Sequence, residues 1–525
     1  MLVRYEIRLR GEEPIRGQEE WAGGRLLIAP ELPEGVVESV TATVKVPLNE
    51  DEKIFMNGFQ TWTYCPEYTR AGFTRDIGPF PERLIAHYGL RAYGDSYFVP
   101  YPQQTGVTHG ESWCYFRNGE DFRLFASLDE EPGYTLFCNN TALDTLTIRR
   151  DCEGLRVKGT FHALDLFYAQ GTEDAVFDAW FAAMGVKPRT TRPLAGYSSW
   201  YNRYEDISQQ SILSDLDGCR TMLQPGDLFQ IDDGWEPAVG DWLEPDYLKF
   251  PDGMGAAART IHESGFLAGL WLAPFVAKKG SRVWKEHPDW FLKVEGKPWY
   301  CGINWGGFYS LDIDNPQVIA YLERVFDQVF HKWGYDLVKL DFLYAAAPFG
   351  SDRETRAGRM IRAMKLLRRL CGDKLILGCG VPVMPAFGLV DYCRISCDVG
   401  LDWDDTRLMQ QTHRERVSTR QAIGNTIFRR QLNGRAYLSD PDVFFLREEN
   451  LKLSPEQKHA LATVNSLFGG VLLHSDDMAK WTDEAKAAYR QLLRNREATN
   501  VKVHADHGLS VTYDLDGESH RVVIE

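Results

Sequence analysis

The sequence predicts an α/β protein: a (β/α)8 TIM barrel behind an N-terminal β-sandwich domain, with a small C-terminal β segment. Three observations predict it. From the start to about residue 170, short apolar–polar alternations separated by turn residues dominate, the pattern of a β-sandwich. From about residue 190 the rhythm becomes strand, helix, strand, helix. It yields eight strand candidates over roughly 290 residues, the usual extent of a (β/α)8 barrel. After residue 480 a single helical stretch precedes short strand-like runs.

The elements follow in order. The opening MLVRYEIRLRGEEP alternates like a strand and lacks the apolar run of a signal peptide, so a cytoplasmic location is expected. TATVKV, IFMNGFQTW, YFVPYP, WCYF and FRLFASL read as further strands, and Asn118-Gly119 between the last two marks a hairpin. EDAVFDAWFAAMGV is a helix linking to the next unit. Barrel strands are expected at LAGYSSWY, LFQIDDGW, FLAGLWLAPF, DLVKLDF, KLILGCG, VDYCRIS, AYLSDPDVFFL and GVLLHSD, with helical stretches such as RAMKLLRRLCG and PEQKHALATVNSLFG between them. No glycine-rich phosphate loop follows the first strand, which disfavours a doubly wound sheet. DEAKAAYRQLLRN is a helix, and the tail reads as three short strands around Asp-Gly, too small to fold alone and expected to pack on the barrel. The expected division is 1–185 sandwich with linker helix, 186–480 barrel and 481–525 C-terminal helix and β segment.

Composition excludes several functions. Charged residues at 25% and hydrophobic ones at 44% are those of an ordinary globular chain. With 74 acidic against 59 basic residues, the formal charge of −15 disfavours nucleic acid and anionic membrane as partners. No apolar run is long enough to span a bilayer. The ten cysteines form no C-x-x-C pair, and Cys393 and Cys397 have no second ligand pair nearby, so reduced thiols are expected rather than zinc. The aromatic share of 13%, with 15 Trp, suits sugar faces as well as cores.

Catalytic groups of such barrels gather at the C-terminal ends of the strands. This chain places carboxylates there repeatedly: Asp232 and Asp233 after the second strand, Asp341 after the fourth, Asp398 after the sixth, Asp440 after the seventh and Asp476 after the eighth. Several carboxylates without a histidine cluster suit glycoside hydrolysis, although a lone strand-end Asp is more often a helix cap. In VKLDF, Lys339 and Asp341 share a face while Leu340 and Phe342 are expected to pack outward, and a neighbouring ammonium keeps Asp341 ionised; a structural ion pair is the alternative. In CRISCD, Arg394, Ser396 and Asp398 share a face. Arg394 either binds substrate or partners a structural carboxylate, and Asp402, Asp404 and Asp405 compete for any role given to Asp398. Two adjacent carboxylates cannot both face inward on a regular strand, so the chain must bend at Asp232-Asp233, where Gly234 permits it. Trp235 and Trp271 either stack on a sugar or belong to the core.

FQIDDGW, GDW, KFPDGM, GLWLAPF, VKLDF, GCGVP, GLVDYCRISCD and SDPD, in this order, resemble glycoside hydrolase family 36, most of all its shorter α-galactosidases. NGFQTW resembles a motif of the family's N-terminal domain. The resemblance implies a retaining exo-α-galactosidase acting on α-galactoside oligosaccharides without metal or cofactor. It puts the nucleophile on Asp341 and the general acid/base on Asp398, and carries sugar-binding positions over to Asp232, Asp233, Trp271, Lys339, Cys379, Arg394, Tyr201 and Trp62. Longer relatives have Glu-Pro where this chain has Ala273-Pro274. An α-N-acetylgalactosaminidase, a raffinose-type transglycosylase and a sugar-binding protein without turnover are the alternatives. The sequence leaves the oligomeric state open.

Overall fold

Barrel strands of this chain are short and buried on both sides, as parallel strands covered by helices must be. In the computed structural model, which describes residues 1–506 and 508–524, they are β1 (Leu194–Ser198), β2 (Leu228–Ile231), β3 (Leu267–Leu272), β4 (Leu337–Leu340), β5 (Leu375–Gly378), β6 (Tyr392–Arg394), β7 (Leu438–Asp440, resumed at Val443–Phe444) and β8 (Val471–His474). Each pairs in parallel with the next, and β8 pairs with β1, so the sheet closes. β7 is one strand in two halves. Its first half pairs with β6 through Tyr392 and Leu438, its second with β8 through Val443 and Leu473. Between them Pro441 cannot donate to a ladder and Asp442 sits at φ +76°. Asp442 is thereby turned out of the sheet.

Ahead of the barrel lie two antiparallel sheets, and Val3, Ile7, Phe116, Phe125 and Ile148 from both fill the core between them. The Asn118-Gly119 hairpin forms as expected: Asn118 faces Asp121 across the turn and Gly119 takes φ +59°. Two expected strands do not. Of IFMNGFQTW only the first three residues are strand, within Lys53–Met56, and Asn57–Trp62 leaves the sheet toward the barrel. YFVPYP turns instead, its Phe98 and Val99 amides donating to the Asp95 carbonyl, because Pro100 and Pro102 interrupt any ladder. Helix Glu173–Met184 ends at Gly185 with φ +67°, and buries Val176, Phe177, Trp180 and Phe181. At the C-terminus Asp516-Gly517, both at positive φ, close a two-residue hairpin between Leu509–Leu515 and Glu518–Ile524. Val511, Val522 and Ile524 join the core of the barrel. Among the described residues no helix is long and apolar enough to cross a membrane.

Candidate functional site

The buried carboxylates at the strand ends differ in what surrounds them. Asp341 leaves β4 and accepts two hydrogen bonds, 3.0 Å from Trp271 Nε1 to Oδ2 and 2.9 Å from the Phe342 amide to Oδ1. Lys339, one turn of pleat back on the same face, donates to Asp232 Oδ2 at 2.9 Å. Burial alone would lower the Lys339 pKa, but the Asp232 and Asp341 carboxylates outweigh it, and the ammonium is held charged. Phe342 does not pack outward. At φ +54° the chain turns just after Asp341, and the ring meets Trp62 at 5.1 Å and Trp305 at 4.9 Å, in the mouth of the barrel.

The bend expected after β2 is present. Gly234 takes φ +111°, and a Cβ there would lie 2.7 Å from the Glu205 carbonyl oxygen. Asp232 is already committed: Oδ2 accepts from Gln230 at 2.7 Å as well as Lys339, and Oδ1 accepts from the Asp233 amide at 2.9 Å. Asp233 accepts from Trp305 Nε1 at 2.8 Å and faces Glu236. Burial, then the repulsion of Glu236, pushes the Asp233 carboxyl well above its ordinary range, and burial raises Glu236 as well. Two buried acids in contact hold a proton between them rather than two charges.

Arg394 organises the part of the mouth at β6. Its Nη2 reaches Asp442 Oδ2 at 2.6 Å and Asp398 Oδ1 at 2.8 Å, and Nη1 lies 3.6 Å from Cys379 Sγ. Of the two readings of this arginine, these contacts show the one that partners carboxylates. Tyr201 donates its hydroxyl to Asp442 Oδ2 at 2.5 Å. Asp398 is withdrawn from bulk water, which raises its pKa to about 7; Arg394 opposes the rise and Asp442 adds to it. Part of its side chain, 37%, stays accessible, and that part faces a cavity of 580 Å³. Trp62, brought over from the sandwich, donates from Nε1 toward Cys379 Sγ at 3.4 Å and lines the same cavity.

The ten residues singled out in the sequence thus converge in two linked clusters, Asp232–Lys339–Asp341–Trp271 with Asp233, and Asp398–Arg394–Cys379–Trp62 with Tyr201. Four other residues belong elsewhere. Trp235 is wholly buried among Trp242 and Trp333 and donates to the Trp271 carbonyl, so it is core. Asp476 accepts from the Leu446 and Arg447 amides and anchors a loop. Asp404 pairs with Arg416 at 2.7 Å. Ser396 donates to the Cys397 and Pro441 carbonyls rather than joining Asp398. Three residues at the site escaped sequence reasoning: Asp442, Trp305 and Glu236. Pro441 inside a strand-like run is the signal that could have flagged Asp442, because it breaks the strand there. Trp305 lies in the long connection between β3 and β4, where no periodicity points to it. All ten cysteines are free, and among the described residues no group of His, Cys, Asp and Glu is placed to hold a metal ion.

The family model described as Melibiase matches residues 189–366. Among curated relatives, the α-galactosidase AgaA of Geobacillus stearothermophilus is 26% identical over 200 residues, 35% of this chain and 26% of that protein. The chain therefore matches about a quarter of the length of that relative. Among solved structures, an α-galactosidase from Thermus thermophilus in complex with stachyose is 30% identical, covering 93% of this chain and 98% of that one, with a TM-score of 0.74. The structure of AgaA, a GH36 α-galactosidase, is 14% identical over 97% of this chain and 80% of that one, with a TM-score of 0.61, a likeness of fold alone. Full-length similarity to the Thermus protein, the family model over the first half of the barrel, and the ordered motifs around these carboxylates agree: the chain belongs to the Melibiase family of glycoside hydrolases, family 36.

Proposed function

We propose that the protein is a retaining exo-α-galactosidase that removes terminal α-linked galactose from oligosaccharides by double displacement. The observation that carries this reading is the contrast between two carboxyl groups that follow β4 and β6 in one barrel mouth. Asp341 is fixed as an acceptor by Trp271 and the Phe342 amide beside the Lys339 ammonium. Asp398, with a pKa of about 7, holds a proton near neutrality. Asp341 attacks the anomeric carbon and forms a glycosyl-enzyme. Asp398 protonates the departing oxygen, then takes a proton from the incoming water. Lys339, Arg394, Asp232 and Asp233 hold sugar hydroxyls, and no cofactor takes part.

Trp62 supports galactose over N-acetylgalactosamine. A Cβ on Gly380 would lie 2.8 Å from its ring, so Trp62 packs directly on Cys379-Gly380, where family resemblance puts the sugar 2-position, and leaves little room there for an N-acetyl group. Ten free thiols, nine of them buried, support a cytoplasmic location. The division at residues 185 and 480 is our proposal for the domain boundaries.

Azide separates the two roles. With azide and an activated aryl α-galactoside, Asp341→Gly yields β-galactosyl azide by single displacement, while hydrolysis falls by at least about 10³-fold. Asp398→Ala retains turnover of a dinitrophenyl galactoside and yields the α-azide. Proton NMR of the products reads the anomer. The same anomer from both variants, or normal turnover by Asp341→Gly, overturns the assignment.

A further inference from the structure

Large apolar side chains exposed at a surface cost free energy unless something covers them, and here several are gathered in one place. Of fifteen exposed large hydrophobic residues in the described chain, six line one cavity: Leu84, Tyr88, Ile303, Leu408, Met409 and Val417. That cavity, of 580 Å³, has Asp398, Trp62 and Phe342 in its wall. Several of its polar side chains are already engaged, in part with residues behind the wall. Arg416 pairs with Asp404 at 2.7 Å, Glu415 accepts from Thr63 at 2.7 Å, Thr412 donates to the Met409 carbonyl at 2.7 Å, and Asn304 accepts from Tyr93.

A general acid must touch the oxygen that leaves, so the leaving group begins in the space Asp398 faces. A second sugar there would bring its hydroxyls against a mostly apolar wall; an alkyl or aryl group would bring apolar surface and cover what is exposed. We propose that this cavity is a leaving-group site for apolar aglycones, and that alkyl and aryl α-galactosides are better substrates than galactosyl oligosaccharides. The proposal rests on the α-galactosidase reading and specifies the other half of its substrate. A neighbouring cavity of 880 Å³, lined by Asp402, Arg447, Glu449 and Lys452, is polar, but Asp398 does not line it.

The test is kcat/KM for methyl, butyl and hexyl α-galactoside and for raffinose. The alcohols leave with nearly equal acidity, so the series reads contact and not chemistry. A rise of about 10- to 100-fold from methyl to hexyl is expected from burying added methylenes, with raffinose below hexyl. Leu408→Asn with Met409→Asn should lower the hexyl-to-methyl ratio at least about threefold. A flat series, or raffinose above hexyl, overturns the proposal while leaving the hydrolase reading intact. Absence of turnover on every α-galactoside, p-nitrophenyl included, sinks both. A flat series with a dimer in light scattering that Leu408→Glu dissociates would mean that a second copy covers these residues, and also overturns it.

Discussion

Asp341 and Asp398 are the same residue type at equivalent strand ends, and their different chemistry comes from neighbours. Asp398 keeps its proton to about pH 7 through withdrawal from water and the nearby Asp442 charge, against Arg394. For substrates whose leaving group needs a proton, kcat/KM should fall above about pH 7, and for a dinitrophenyl galactoside that limb should vanish. Asp442→Asn removes a carboxylate that raises the Asp398 pKa and leaves Arg394 unopposed, so the alkaline limb should move to lower pH. A pH–rate profile with an unmoved limb would mean that Asp442 acts only on structure. The raised pKa also links to stability. The folded protein binds more protons than the unfolded chain between about pH 4 and 7, so this residue's contribution falls as pH rises through that window. Asp398→Asn should therefore gain more in Tm over wild type at pH 8 than at pH 5, measured by calorimetry. Equal gains at the two values would contradict the raised pKa.

Asn57–Trp62 is irregular backbone, yet it carries Trp62 into the site, so something must fix it. Arg429 does. The guanidinium is wholly buried and pairs with no carboxylate; Nε donates to Asn57 Oδ1 at 3.0 Å, Nη1 to the Thr61 and Ile395 carbonyls at 2.7 and 3.0 Å, and Nη2 to the Gly58 and Gln60 carbonyls at 3.2 and 3.1 Å. One planar fork spans the segment and β6 together, which an ammonium cannot do. Arg429→Lys leaves several of these carbonyls unpaired and should cost about 2–4 kcal/mol in urea unfolding. KM for an aryl α-galactoside should rise as Trp62 loosens, with kcat less affected. A change in stability alone would make Arg429 a structural residue only. Its position just past the end of helix Thr419–Phe428 carries no sequence sign of this work. The sequence marks a strand such as LFQI by a run of buried apolar residues, and marks the bend after it by Asp-Asp-Gly. It does not mark which distant loop folds over the mouth, because periodicity records which face is covered and not by what. For that reason YFVPYP read as strand, Trp235 read as well as Trp271, and Asp442, Trp305 and Glu236 went unseen.

Sandwich and barrel share their packing. Trp113 of the sandwich meets Trp180 of the linking helix at 5.4 Å and Phe387 of the barrel at 6.3 Å, and Arg356 of the barrel lies 3.9 Å over Phe98. The Tyr64 amide donates to the Arg414 carbonyl, and the Thr61 amide to that of Val381. The site is correspondingly composite: Trp62 and the Leu84–Tyr93 wall of the cavity come from before the linking helix, Asp341 and Asp398 from after it. The strand and helix rhythm made both architectures legible in the sequence, but not their dependence on each other, since a Trp on a sandwich strand looks the same whether it fills its own core or a neighbour's. The dependence has a direct consequence. A chain restricted to residues 186–525 would expose Phe387 and Val383, strip Arg429 of four of its five acceptors and leave one wall of the mouth missing. Exposing a large apolar interface and losing the contacts that hold this face together costs several kcal/mol, comparable with the whole stability of a domain, so this fragment should be insoluble or lack a cooperative thermal transition. The full chain should unfold in urea with fluorescence and activity lost together. A soluble 186–525 fragment with a sharp transition and turnover of an aryl α-galactoside would show that the barrel builds its site alone, and that Trp62 is dispensable.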